Sequence, residues 1–429
     1  MDWLLAIAFL FSDSIPTDPS RLVIRDATVI DGTGDAPLTN HSILIERGVI
    51  TAIAPSNELS PRSDDRIVDA AGTFVLPGLI DGHVHVTPWR DRDAQLTRLL
   101  ESGVTTLRDM GGDVRIAADI RERVAKGALL APDLHSSATF FGPLFLQDRR
   151  IQVAGSGFPP GEAPWHKMVT ADTDLVQAVT DARASGAVGI KLYSEIDPPL
   201  ARAIVAEAHR QGLKVWSHAT IFPSKPGDAV AAGVDTIVHN GMLFPETQDG
   251  LPGDYHTGVR TWMAERDFSA VAPDAPVMSA FYEQMVERGT IYEPTLAGSE
   301  RFAASNAQGS NLSEIDWDAM RDWGCAATGA AHRAGVTISA GTDTAGGASV
   351  HRELELLVAC GLSPMDAIVA ATRNAATSIG IDATHGTIDV GKQADLIILE
   401  SDPLADIASI RSVRAVLKNG KLVLTADRD

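Results

Sequence analysis

One phrase recurs through the middle of the chain: a helical stretch, a glycine, a short apolar run, then a polar residue. Residues 94–101 lead through Gly103 to VTTLRDM, and residues 114–126 lead through Gly127 to a strand over 134–141. Residues 172–185 lead to AVGIKLY, 199–211 to LKVWSHA, and 227–232 to VDTIVHN. Residues 277–288 lead to TIYEPTL, and 317–334 to VTISAGTD. A glycine just past a helix is the expected stop, because the chain leaves in a left-handed conformation that only glycine adopts freely. Strands alternating with helices call for a parallel sheet with right-handed crossovers. About eight such units predict an α/β fold closed into a (β/α)8 TIM barrel. A doubly wound open sheet is the alternative, but no glycine-rich phosphate loop opens a first helix.

The chain ends read differently. RLVIRDATVID, HSILIERGVITAIAP with its Arg47-Gly48 turn, and DRIVDAAGTFVLP form a β-meander pattern. HGTIDVGKQADLIILE and SVRAVLKNGKLVL return to that pattern after helices near 351–360 and 364–378. The expected plan is a small β-sandwich built from residues 21–76 and 385–429, a barrel over 77–384, and a tail over 1–20. Residues 3–11 form an apolar run of signal-peptide length without a basic flank or a cleavage site. The chain is therefore expected in the cytoplasm, or exported if that run is a signal remnant. Residues 141–164 and 244–276 carry no readable pattern and follow strands, so they are expected as substrate-facing loops.

A formal charge of -20 argues against nucleic acid and anionic membrane as partners. Cys325 and Cys360 make neither a disulfide framework nor a thiolate metal cluster, and nothing in the sequence pairs them. A small-molecule substrate and a homo-oligomeric assembly are expected.

The chemistry lies in the polar residues at the strand ends. VLPGLIDGHVHV delivers His83 and His85 two residues apart, hence on one face of a strand. Lys191, His218, His239 and Asp343 follow, each at or past the end of a later strand. Converging imidazoles and a carboxylate suit divalent metal. Lys191 ligates nothing as an ammonium. As a carbamate, formed from its neutral amine and carbon dioxide, it becomes a two-oxygen anion able to bridge two cations, and burial favours the neutral amine. The alternative is a Lys–carboxylate ion pair. Tyr193 shares the Lys191 face and is a candidate donor to an oxyanion or a substrate carboxylate; Tyr292, His256 and His351 are further pocket candidates.

Together HVH after VLPGLIDG, strand-end Lys191, SHA, VHN, AGTD and GKQADLIIL resemble the amidohydrolase superfamily, over residues 21–424. The nearest subgroup is the imidazolonepropionase-related branch, with metal-dependent Xaa-Pro dipeptidases and acyl-amino-acid hydrolases. The resemblance implies that His83, His85 and Asp343 hold one zinc and His218 and His239 a second, bridged by carboxylated Lys191. It implies hydrolysis of an amide bond by a metal-activated hydroxide, with Asp343 as proton shuttle. A lactone, carbamate or phosphotriester substrate, or a catalytically silent scaffold, is the alternative. Two departures stand out. Imidazolonepropionase does not use a bridging lysine. The dipeptidase relatives' GGHG-like motif is replaced here by Thr139-Phe140-Phe141-Gly142-Pro143, which predicts a more apolar substrate wall.

Overall fold

The computed structural model describes residues 21–252, 262–306, 315–344 and 350–425. The apolar run at 3–11 and the candidate His256 lie outside them.

Five strands open the described chain: β1 (Arg21–Val29), β2 (Leu38–Glu46), β3 (Val49–Pro55), β4 (Arg66–Asp69) and β5 (Phe74–Pro77). β1 pairs in parallel with β4 through Leu22–Arg25 and with β5 through Thr28 and Val29. The switch falls at a register shift after Ile24, beside Asp26 at φ +62°. A bulge there bends the strand, so one strand serves two neighbours. Leu22, Ile24, Val29, Ile43 and Val75 form the apolar core of this sheet.

At Gly78 the chain passes from that sheet into the barrel: Gly78 N–H donates to Asp395 O, and Leu79 N–H to Gly103 O. A Cβ on Gly78 would meet the Thr105 side chain at 2.2 Å, so only glycine allows the approach. The next strands are β6 (Leu79–Val84), β7 (Val104–Asp109), β8 (Asp133–Phe141), β9 (Glu162–Ala163), β10 (His166–Met168), β11 (Gly189–Leu192), β12 (Lys214–His218), β13 (Thr236–Val238) and β14 (Ile291–Glu293). All but the β9–β10 flap are barrel staves, paired in parallel in the order β6-β7-β8-β11-β12-β13-β14. The segment 336–344 closes the ring. Tyr292 N–H donates to Thr337 O on one side, and Gly82 N–H to Ala340 O and Asp343 N–H to His83 O on the other. The barrel is thus the one the sequence predicts, with its eighth stave held by a few bonds only.

Helices pack outside, and their apolar faces meet the barrel through residues such as Val205, Met285 and Leu354. The glycine stops behave as expected: Gly103, Gly186, Gly212, Gly233, Gly289 and Gly335 all have φ between +67° and +93°. The helix Leu296–Asn306 was not foreseen. Nor is 141–164 a plain loop: it holds helical turns at Pro143–Gln147 and Arg149–Ala154 and the β9–β10 flap, whose β10 pairs with the end of β8.

β15 (Leu396–Leu399), β16 (Val413–Lys418) and β17 (Lys421–Thr425) return to the first sheet. β15 pairs antiparallel with β5, making an eight-stranded mixed sheet from both ends of the chain. Cys325 and Cys360, which nothing in the sequence paired, form a disulfide between the helix Trp317–Arg333 and the end of the helix Val350–Ala359. Among the described residues no helix is long and apolar enough to cross a membrane.

Candidate active site

The strand-end residues gather on one rim. His83 lies in β6 with His85 just beyond, Lys191 lies in β11, His218 ends β12, His239 follows β13, and Asp343 follows the closing segment's bonds to β6. The rings form a chain: His85 to His83 at 5.3 Å, His83 to His239 at 5.1 Å, and His239 to His218 at 4.9 Å between centroids. Asp343 Oδ1 lies 3.1 Å from His85 Nε2 and 3.5 Å from His83 Nε2. Asp343 Oδ2 lies 3.8 Å from His239 Nδ1. His239, Asp343 and the neighbouring Thr295 all have positive φ, at +79°, +49° and +51°. Such conformations cost free energy, and a cluster of them at one rim points to side chains aimed for a purpose.

Burial sets the charge states. It pushes His83, His218 and His239 well below the ordinary imidazole range, so they are neutral at pH 7, as metal ligands must be. Burial works against ionised Asp343, but His83, His85 and His239 override it and hold the carboxyl well below its usual value. Lys191 is fully buried, and burial drives its amine well below the ordinary lysine range. Its Nζ has no hydrogen-bond partner and no carboxylate within ion-pair distance among the described residues, so the ion-pair reading finds no partner. The His218 Nδ1 is likewise buried and unpartnered among the described residues. Neutral imidazoles around a carboxylate, with an orphaned amine and an orphaned ring nitrogen between them, are a donor set that fits divalent metal.

Glu293, at the end of β14, went unnoticed in the sequence. It is completely buried; its Oε1 lies 3.0 Å from His83 Nδ1 and its Oε2 accepts from Arg108 at 2.7 Å. Arg108 is buried too, donates to Gly82 O and Ser378 Oγ, and lies over the Trp216 ring. Accepting from Nδ1–H leaves the His83 Nε2 lone pair facing Asp343. His239 Nδ1 lies 3.0 Å from Thr295 Oγ1, a hydroxyl that can donate or accept and so fixes no tautomer. The space Glu293 fills explains both glycines in DGH and AGTD: a Cβ on Gly82 would lie 2.3 Å from Glu293 Oε2, and one on Gly341 2.7 Å from its Cδ. A glutamate inside the apolar strand of TIYEPTL was the available signal.

A cavity of about 830 Å³ opens over this rim and includes His85, Tyr193, His218, His239 and Asp343. The Tyr193 ring lies 4.5 Å from His218. Two pocket candidates are elsewhere. Tyr292 points outward from β14 into the helical layer, its hydroxyl near Thr328, and is buried there. It has the opposite parity to Glu293, and Glu293 is the residue that faces the site. His351 is buried on the helix Val350–Ala359, near the Ser102 backbone, where burial pulls its ring down to about 4.

A family model described as "Amidohydrolase family" matches residues 74–423. The chain is 27% identical to an ochratoxinase from Aspergillus niger, over 95% of this chain and 87% of that protein. It is 26% identical to an imidazolonepropionase from Geobacillus thermodenitrificans, over 93% and 96%. Among solved structures, a Xaa-Pro dipeptidase with bound methionine superimposes with a TM-score of 0.75 at 23% identity, over 94% of this chain and 99% of that one.

Proposed function

We propose, from the premise that the chain belongs to the amidohydrolase family, that it is a metal-dependent hydrolase cutting the amide bond of a small substrate such as an N-acyl amino acid or a dipeptide. The observation that carries this reading is Lys191 Nζ, buried and without a partner among neutral imidazoles at the barrel mouth. In this reading His83, His85 and Asp343 would hold one zinc, His218 and His239 would hold a second, and Lys191, once carboxylated, would supply anionic oxygens to them. When bound, such metals lower the pKa of water so that hydroxide is available at neutral pH, and they polarise a carbonyl.

The chain's own groups then divide the work. Asp343 accepts the proton of the attacking water at a carboxylate oxygen and passes it to the leaving nitrogen. Tyr193, packed against His218 with its hydroxyl donating to Met110 O at 3.4 Å, is the candidate donor to the scissile group. Glu293 holds His83 in the tautomer that leaves its Nε2 lone pair available, and Thr295 orients the His239 ring. Names of relatives that act on ochratoxin, an imidazolone or Xaa-Pro dipeptides support a carbon–nitrogen bond as the target.

The test has two arms. Elemental analysis of protein grown with ample zinc is expected to give close to two metal ions per chain. A panel of N-acyl amino acids, dipeptides, lactones, carbamates and phosphotriesters is expected to show turnover on the amides, lost on the order of a hundredfold or more in Asp343→Asn. One metal or none, or full activity of a metallated Asp343→Asn, overturns the assignment. No turnover of any ester or amide by the two-metal protein returns the silent scaffold.

A further inference from the structure

One wall of the cavity is the helix Leu296–Asn306, and this wall touches the proposed ligands at two points. Thr295, the residue before the helix, places Oγ1 3.0 Å from His239 Nδ1. Gly298 backs on Asp343: a Cβ there would lie 3.0 Å from Asp343 Cβ and 2.8 Å from Thr342 O. Thr295 holds φ at +51°, which a β-branched residue adopts only under constraint. The constraint comes from a residue that does not line the cavity. Glu353, on the helix Val350–Ala359, is completely buried. Its Oε1 accepts from Leu296 N–H at 2.9 Å and its Oε2 from Ala297 N–H at 2.7 Å. These are two of the four amides that a helix start leaves without partners in the helix.

A second grip lies one turn further on. Arg352 donates from Nε at 3.0 Å and from Nη2 at 2.7 Å to the carboxylate of Glu300, and both side chains are 41% exposed. The two grips differ in what they cost. The surface pair stays solvated. Glu353 sits in the interior, where burial pushes its carboxyl up to about 8; the Ala297 and Leu296 N–H groups pull it down, and the Asp81 and Glu293 charges push it up. A charge kept there at such a cost points to a task that a surface pair does not perform. The other charged groups packed around that helix are engaged: Arg352 also with Glu355, Glu355 with Arg411, and Asp366 with Ser363 and His332. Arg301 lines the cavity.

We propose that Glu353 is a positioning residue of the site: its carboxylate fixes the start of the helix Leu296–Asn306, and so sets Thr295 against His239 and Gly298 against Asp343. This rests on the metal-site reading above. Two N–H donors need two acceptor oxygens. Protonated Glu353 carries a hydrogen on one of them, which meets an N–H donor to donor. The grip therefore tightens as pH rises through about 8 and slackens below it.

The test is the zinc affinity of the full chain, by competition with a chelator, at about pH 7 and pH 9. It compares wild type with Glu353→Gln, whose amide offers one acceptor oxygen. The readout is the ratio of the two affinities, in which effects of pH common to both proteins cancel. That ratio is expected to be about tenfold at the higher pH, the low end for a group one step behind a ligand, and to fall towards one at the lower. Arg352→Met releases only the surface grip and should bind zinc as wild type does at both. A ratio that does not change with pH overturns the proposal, and so does the same pH-dependent loss in Arg352→Met. Wild type that takes up zinc with a flat ratio defeats the positioning role alone. Wild type that takes up none defeats the metal-site reading, and the proposal with it. Amide exchange on wild type covers a Glu353→Gln that does not fold. Protection of the Leu296 and Ala297 amides, corrected for the intrinsic rate, is expected to rise about tenfold over the same pH range, and constant protection overturns the proposal.

Discussion

Among the described residues two clusters of histidine, carboxylate and lysine lie at opposite ends of the barrel staves. At the strand ends lie His83, His239, Asp343 and Lys191. At the strand starts, where the barrel meets the mixed sheet, lie Asp133, His385, Asp395 and Lys418. Both sets bring histidine and carboxylate atoms within 4.8 Å of one another. The lysines differ. Lys418 Nζ donates to Asp133 at 2.6 Å and to Asp395 at 2.5 Å, so the lower cluster already holds a cation. Lys191 Nζ has no partner among the described residues. His385 Nε2 in the lower cluster also lacks a hydrogen-bond partner among the described residues, so orphaned atoms as such do not tell the clusters apart. The lysine does: a buried amine left unpaired is costly, and Lys191 is unpaired where Lys418 is held by two carboxylates as a fastener.

The largest expected effect breaks the comparison at its lysines. Lys191→Ala removes the anion proposed to lie between two cations, which then repel each other in a site of low dielectric. Metal content should fall below two per chain, and turnover at least about a thousandfold, as several kcal/mol of metal assistance is lost. Short carboxylates such as acetate should restore part of both. Lys191→Arg should fail as well, because guanidinium stays cationic and forms no carbamate. Lys418→Ala should leave metal content unchanged. Equal metal loss in both variants, or a fully active Lys191→Arg, would erase the distinction.

The next effect is on stability and belongs to the lower cluster. Burial works against the Asp133 carboxylate, but His385, with its Nε2 3.7 Å away, and the Lys418 ammonium override it and hold its carboxyl well below the ordinary 3.8. Burial likewise works against the Lys418 ammonium, and Asp395 and Asp133 override it and lift the lysine above 10.5. A depressed carboxyl contributes stability that is present above its unfolded pKa and lost as pH falls; a raised lysine contributes stability present below 10.5 and lost as pH rises. The fastener is therefore complete between about pH 4 and pH 10. Lys418→Met should cost about 3 kcal/mol at pH 7, the low end for a broken buried pair because Asp133 is 33% exposed. It should also flatten the fall in stability between about pH 4 and pH 2, since Asp133 is then held less far down. Urea midpoints at several pH values measure both. A midpoint at pH 7 equal to wild type would show the cluster to be ornamental.

How legible these features were depended on whether their signal is local. Helix stops and short apolar strands are local, and the barrel followed from them. The polar rim was legible because each of its residues lies at or just past the end of a strand that the local pattern already located. Glu293 was missed because its role is non-local: it fills space left by Gly82 and Gly341, from strands 211 and 48 residues away in sequence, given by 293 - 82 and 341 - 293. Which of Tyr292 and Glu293 faces the site could not be read on a three-residue strand, too short to show alternation. The Cys325–Cys360 disulfide also depends on contacts between distant segments. The absence of a GGHG-like motif was readable, but the apolar substrate wall expected from Thr139-Phe140-Phe141-Gly142-Pro143 is not found: none of the five is among the residues lining the cavity, and Phe141 packs on Phe145 and His166 in a buried cluster.

The smallest effect sharpens the comparison one layer behind the ligands. Glu293→Gln keeps the volume that Gly82 and Gly341 make room for, so packing is preserved. A carboxylate accepts from His83 and Arg108 at once; an amide has one oxygen. Arg108 is a permanent donor with a buried guanidinium, so it claims that oxygen and leaves the NH2 facing His83 Nδ1. His83 then accepts at Nδ1 and carries its proton on Nε2, the nitrogen that faces Asp343. A ligand in the wrong tautomer must rearrange to bind. Zinc affinity, measured by competition with a chelator, should fall about 10- to 100-fold. Asp395→Asn is the matched change in the lower cluster and should leave zinc affinity alone while lowering the urea midpoint. If Glu293→Gln lowers only the midpoint as well, Glu293 is a counter-ion for Arg108 and no more. If zinc affinity falls while the midpoint holds, the carboxylate acts through the His83 ring, and the ligand site extends behind its first ligands where the fastener does not.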